Sequence, residues 1–220
     1  MTKKEIVKFI DHTLLKPEGT ILDIKRLCDE AIKYGFFAVC VAPVYVSYVK
    51  EILNGYDIKI ATVVGFPLGN STIKTKIFEA KEAIKNGADE IDMVINIGYL
   101  KSKNYKYIYD EINTIKNEIG DKILKVIIET SLLNIEEKII ASTIVKAAGA
   151  DFVKTSTGFS QGGATKEDVE LIRKVVGENF GVKASGGIRT FEQAVELIKS
   201  GANRIGTSSS VKIVEENGNS

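Results

Sequence analysis

The sequence is poor in the residues that build several common kinds of site. It holds one histidine, His12, and two cysteines, Cys28 and Cys40. Zinc sites assembled from several His or Cys ligands are therefore all but excluded, and so is a histidine-based triad unless His12 supplies it. Cys28 falls in a helical pattern and Cys40 in a strand-like run, which reads as two buried free thiols in a reducing, cytoplasmic compartment. Long apolar runs are also missing. No stretch approaches the roughly 18 residues of a membrane span, and the opening MTKKEIVKFIDHT is too short in apolar residues for a secretory signal. Nor is there a surplus of one charge. Lys plus Arg number 30 and Asp plus Glu 29, a formal net charge of +1, without the basic footprint of a dedicated nucleic-acid binder. No linker, low-complexity segment or composition shift divides the 220 residues, so a single domain over 1–220 is expected, with a polar, frayed tail from about 214.

What is present is an alternation. Short β-branched runs that end in small or polar residues recur at intervals of roughly 22 to 34 residues, the size of a βα unit. They are KFIDHTLL, FFAVCVAP, KIATVVGFP, EIDMVINIG, LKVIIETS, DFVKTST, GVKASGG and NRIGTSS. Amphipathic helical patterns lie between them, and TKKEIVKF can form a short helix before the first. Four helix starts carry a cap and its partner three residues on: Thr20 with Asp23, Asn134 with Glu137, Thr165 with Asp168, and Thr190 with Gln193. Three helix ends share Gly-Ala-Asp or Gly-Ala-Asn before a strand, so Gly87, Gly149 and Gly201 read as left-handed residues closing a helix. Alternating strands and helices imply a parallel sheet, and eight units close naturally as a (β/α)8 TIM barrel. A doubly wound open sheet is the runner-up.

In such a barrel the chemistry sits at the carboxyl ends of the strands. Lys154 and Lys183 follow apolar residues and precede small polar loops, on neighbouring strands, and both can point inward. Two adjacent ammoniums disfavour each other's charge, and partial burial adds to this, so one lysine should lose its proton more readily and become a nucleophile for carbonyl groups. Lys59 and Lys125 precede their apolar runs and are expected to be solvated at the opposite, amino-terminal end of the barrel. Asp92 shares a strand face with Glu90, opposite Ile91, Met93 and Ile95; it suits either a salt-bridge partner or a proton shuttle. Asp11 suits a structural hydrogen-bonding role at least as well as a catalytic one, and His12 a packing or hydrogen-bonding one. Gly186-Gly187, together with Gly206 and the hydroxyls of Thr207, Ser208 and Ser209, form a candidate phosphate site after the last two strands.

The segments FIDHTLLKP, AVCVAP, VVGFPLG, DEIDMVINIG, VKTSTGF, VKASGGIRT and RIGTSS, in that order, resemble the deoxyribose-phosphate aldolases, a class I aldolase family, along nearly the whole chain. The resemblance implies a Schiff-base aldol reaction with no cofactor and no metal. In it, 2-deoxy-D-ribose 5-phosphate is cleaved reversibly to acetaldehyde and D-glyceraldehyde 3-phosphate, a step of deoxyribose phosphate catabolism. It implies that Lys154 forms the imine, that Lys183 is the neighbouring cation that perturbs it, and that Asp92 moves protons with a bound water. It also implies phosphate contacts at Gly186, Gly187, Gly206, Ser208 and Ser209, and places Thr155, Asp11 and Cys40 in or beside the pocket. Phe159 stands where some relatives carry a lysine, which removes any phosphate contact from that side chain. The implied partner is a small phosphorylated sugar, with neither nucleic acid nor membrane, and family members often form homodimers or homotetramers. Competing readings are a phosphate-binding barrel isomerase, a pyridoxal phosphate enzyme using Lys154, and a non-catalytic sugar-phosphate binder. The joint presence of Lys154, Lys183 and Asp92 favours the aldolase.

Overall fold

In the computed structural model, residues 1–215 are described. Eight strands alternate with helices: β1 (Ile10–Leu14), β2 (Ala38–Val41), β3 (Lys59–Val64), β4 (Glu90–Val94), β5 (Ile123–Ile127), β6 (Phe152–Lys154), β7 (Gly181–Ser185) and β8 (Arg204–Thr207). Each pairs in parallel with the next, and β8 returns to pair with β1, which closes a (β/α)8 barrel and rules out an open sheet. The helices are α1 (Lys3–Ile6), α2 (Ile21–Tyr34), α3 (Val46–Ile52), α4 (Ile73–Lys85), α5 (Ile97–Lys101), α6 (Tyr105–Ile119), α7 (Ile135–Ala147), α8 (Lys166–Val176), α9 (Phe191–Lys199) and α10 (Ser210–Glu215). None of the described helices is long and apolar enough to cross a membrane.

The helix signals act locally, as their chemistry requires. Thr20, Asn134 and Thr190 each close a reciprocal box with the residue three positions on. Thr165 does only half of this. It accepts the Asp168 N–H at 3.1 Å, but the Asp168 carboxylate turns to Lys138, 2.6 Å away, instead of back to the cap. A fourth box, Thr2 with Glu5, starts α1 ahead of β1. Gly87, Gly149 and Gly201 follow their helices with φ of +109°, +84° and +114°, the half of backbone space that a side chain disfavours. The frayed tail expected from 214 is corrected in part. Val214 and Glu215 belong to α10 and Val214 is buried against the core; the rest of that tail lies outside the described residues.

Strand side chains alternate between two very different environments. Outward residues such as Val39, Ile60, Ile91, Val126, Val182 and Ile205 pack against the helices and form the main core. Inside the barrel the apolar cluster is only Cys40, Ala61 and Val63, with Leu15 and Phe66 against it. Beside them, seven inward positions carry charge: Asp11, Glu90, Asp92, Lys125, Lys154, Lys183 and Arg204. Lys125, between outward Leu124 and Val126, is one of them: it is fully buried, which corrects its expected place in solvent. Its order relative to the apolar run misled, whereas alternation places it inside. Lys59 does sit at a solvated strand start, paired with the exposed Asp57.

A second buried charge fixes the barrel wall near the site. Lys76 on α4 and Glu111 on α6 are both inaccessible and 2.7 Å apart. The ammonium also donates to the carbonyls of Gly69 (2.8 Å) and Val94 (2.7 Å), and Glu111 accepts the Asn96 N–H. All three ammonium protons are thus used, and the β3–α4 connection is tied to the end of β4. Removing one partner strands the other charge, so Lys76→Met is expected to cost about 3–5 kcal/mol of folding free energy, measured by urea denaturation.

Candidate active site

The pairing register brings the charged residues together. Lys154 is the last residue of β6 and lies opposite Lys183 on β7, so the two side chains leave the sheet on the same, inner face. Asp92 on β4 receives both: its Oδ2 lies 2.7 Å from each ammonium. Its Oδ1 accepts from Lys125 at 2.8 Å. Lys183 donates as well to Asp11, and Asp11 Oδ1 accepts from Arg204 Nε at 2.7 Å. Glu90 closes the network, 2.5 Å from Lys125 and 3.0 Å from Arg204. All of these residues are nearly or fully inaccessible. Lys183 can reach across because residue 206 is glycine: a Cβ there would lie 3.1 Å from both Lys183 Cε and Ser185 Cβ.

The two lysines are driven apart in acidity. Burial pushes the Lys154 ammonium below its usual value, and the charge of Lys183 adds to this against the pull of Asp92. Burial acts on Lys183 too, but Asp11 and Asp92 outweigh it and hold that group above its usual value. Burial would raise both aspartates. Instead Lys125, Lys154 and Lys183 keep Asp92 well below the carboxylate range, and Lys183, Arg204 and Lys125 bring Asp11 to about 2. The lysine pair therefore contains one member whose ammonium is destabilised, with burial as the leading cause and the neighbouring cation adding to it.

Above this network opens a cavity of about 360 Å³. Lys154 lines it, as do Gly186, Gly187, Gly206, Ser208 and Ser209. Gly186 and Gly187 have φ of +87° and +76°, and the fold of that turn needs residues without a Cβ. Lys16 and Arg189 stand in the lining, and Phe159 packs edge-on against Phe66 with ring centroids 5.2 Å apart. Thr157 and Gly158, directly after Lys154, complete the wall on that side. Their loop is held by Glu129, a buried residue with φ +53° that accepts from the Thr157 N–H and hydroxyl and from the Ser160 hydroxyl.

Besides Lys183, four of the expected site residues lie elsewhere than in the lining. Asp92, Asp11 and Cys40 are inaccessible beneath the cavity floor, and burial pushes the Cys40 thiol up. Thr155 is also fully buried, its hydroxyl accepting the Ser185 N–H at 3.1 Å and bracing β6 against β7. His12 faces the helices, between Ser210 (2.9 Å) and Glu30 (2.8 Å), in a hydrogen-bonding role. Lys125 and Arg204 were not anticipated in the network. Each follows the alternation of its strand inward, next to Leu124 and Ile205, and that was the available signal.

Residues 6–216 match the DeoC/LacD family of aldolases. The chain is similar to the deoxyribose-phosphate aldolase of Caldicellulosiruptor saccharolyticus, 62% identical over 98% of this chain and 100% of that one. It is 58% identical to that of Clostridium kluyveri, again over 98% and 100%. Among solved structures it resembles the tetrameric deoxyribose phosphate aldolase of Aeropyrum pernix, with a TM-score of 0.89 and 34% identity over 97% of this chain and 91% of that one. A closed barrel with paired inward lysines, matched over nearly its full length, belongs to the DeoC/LacD aldolase family.

Proposed function

We propose that this enzyme is a deoxyribose-phosphate aldolase that cleaves 2-deoxy-D-ribose 5-phosphate to acetaldehyde and D-glyceraldehyde 3-phosphate through an imine on Lys154. One observation carries the assignment of the nucleophile. Of the two lysines that share Asp92 Oδ2, Lys154 alone lines the cavity, and it is the one whose proton is destabilised. The neutral amine adds to the C1 aldehyde of the open-chain sugar, and loss of water gives the iminium. A base removes the C3 hydroxyl proton, the C2–C3 bond breaks, and its electron pair moves toward the iminium to give an enamine. Glyceraldehyde 3-phosphate leaves; protonation at C2 and hydrolysis then release acetaldehyde and restore Lys154. Asp92 lies behind both ammoniums and acts on these protons through a water, while Lys183 keeps its charge throughout.

The phosphate is held by neutral donors: the backbone of Gly186, Gly187 and Gly206 and the hydroxyls of Ser208 and Ser209. Anchoring this remote end orients the reacting carbons over Lys154. The assignment places the chain, as one domain, in deoxyribose phosphate catabolism in the cytoplasm. Self-association as a homodimer or homotetramer is also inferred, supported by the tetrameric Aeropyrum pernix relative.

Incubation with acetaldehyde and borohydride, followed by peptide mapping, is expected to find the ethyl adduct on Lys154 and none in Lys154→Leu. An adduct confined to Lys183 would reverse the two roles. In Lys183→Leu, Lys154 loses a neighbouring cation while Asp92 stays, so its protonated form gains. Imine formation should then need a higher pH, with the midpoint moved up by about one unit or more; an unmoved midpoint would remove Lys183 from the account.

A further inference from the structure

The barrel interior holds four cations, Lys125, Lys154, Lys183 and Arg204, and three carboxylates, Asp11, Glu90 and Asp92. With all seven ionised, four positive charges stand against three negative and one proton is in surplus. The surplus is not shared evenly. Lys125 lies against Glu90 and Asp92, Lys183 against Asp11 and Asp92, and Arg204 against Asp11 and Glu90. Lys154 touches one carboxylate oxygen, Asp92 Oδ2, and shares it with Lys183. We propose that Glu90 and Arg204 on the barrel floor are positioning residues of the reaction, whose opposite charges, acting through Lys125 and Asp11, set the pH at which Lys154 gives up its proton.

The pair is built into the fold. Glu90 is 4% and Arg204 5% exposed. The guanidinium makes a two-pronged contact with the carboxylate, 3.2 Å from Nη1 to Oε1 and 3.0 Å from Nη2 to Oε2. Its other side rests on the Phe37 ring, 3.7 Å from the centroid. Neither residue reaches the cavity lining, so neither touches substrate. Their effect runs through Lys125 and Asp11, the residues each shares with Asp92 or Lys183. The titratable groups of the barrel interior around Lys154 are Asp92 and Glu90 on β4, Lys125 on β5, Lys183 on β7, Arg204 on β8, Asp11 on β1 and the Cys40 thiol on β2; β3 contributes Ala61 and Val63. Glu129, beyond β5, is turned to Thr157 and Ser160. Toward the cavity the charged lining residues other than Lys154 are Lys16 and Arg189. In so enclosed a set, a unit charge several ångströms away acts with little screening.

This inference rests on Lys154 being the imine lysine, and the test separates the two. Borohydride trapping with acetaldehyde, an uncharged substrate, is followed against pH by intact mass, with the site mapped. Glu90→Gln removes a negative charge and disfavours the Lys154 ammonium, so the midpoint falls by about one pH unit. Arg204→Gln removes a positive charge and raises the midpoint by a similar amount. The double variant Glu90→Gln/Arg204→Gln, which replaces an ion pair by two amides, returns it to the wild-type value. Glu90→Gln/Arg204→Lys keeps the cation and retains the downward shift, so the two double variants decide the matter even where a single variant does not fold. A midpoint that stays in place in Glu90→Gln/Arg204→Lys or in the single variants, or midpoints that move in one direction in every variant as general damage would make them, overturn the proposal. An adduct that forms elsewhere than Lys154 in the wild-type protein overturns the imine assignment itself.

Discussion

The Asp92 carboxylate organises the molecule. It is inaccessible, yet three ammonium groups reach it, from β5, β6 and β7. A buried charge is tolerable only when partnered and hydrogen-bonded, so placing one carboxylate inside the barrel obliges the neighbouring strands to supply cations at matching depth. Those cations in turn require Asp11 and Glu90. Glycine at 206 fits the same demand, because a Cβ there would crowd the Lys183 side chain at 3.1 Å from its Cε. The interior of this barrel is thus an ionic assembly with a small apolar cluster on the β2–β3 side. Cohesion comes from the other face of each strand, where β-branched and aliphatic side chains meet the helices. The two functions are separated by the period-two alternation of the strand: the residues that stabilise the barrel look outward, and those that set its chemistry look inward.

That division sets how much of the protein can be read from its sequence. The fold is legible because each unit repeats the same local solution, a capped start, an amphipathic helix, a glycine stop and a short strand. The lysine proposed as nucleophile is legible because burying an ammonium at the carboxyl end of an apolar run is costly, and a second lysine at the same place one strand later repeats that cost. Depth inside the barrel is harder. Asp11, Cys40 and Thr155 fall on the expected strands but below the cavity floor or braced between strands, since their height depends on the stagger between neighbours, which no single segment encodes. Lys125 shows the limit most clearly. Its place before Val126-Ile127-Ile128 suggests a solvated strand start, but Leu124 before it and Val126 after it both face outward, and a residue between them must face in. Arg204 follows the same rule beside Ile205.

The phosphate end of the cavity poses an electrostatic problem that the floor charges address. On the aldolase reading, a dianion bound beside Gly186, Gly187, Ser208 and Ser209 favours positive charge on Lys154. After imine formation this helps, because the iminium is a cation and its electron demand drives cleavage of the C2–C3 bond. Before imine formation it hinders, because the amine must be neutral to attack. The Lys183 ammonium, on the same Asp92 oxygen as Lys154, opposes the dianion at that first step. It does so at fixed distance and without touching substrate, since Lys125, Lys183 and Arg204 are each locked against two carboxylates. The phosphate donors themselves are uncharged, so the dianion is oriented without a further buried cation beside the lysine. The rim cations Lys16 and Arg189 lie on the solvent side, where screening weakens their effect on Lys154. Ground-state amine and iminium then each find a favourable field, the first from the floor and the second from the bound phosphate, on one rigid set of strands.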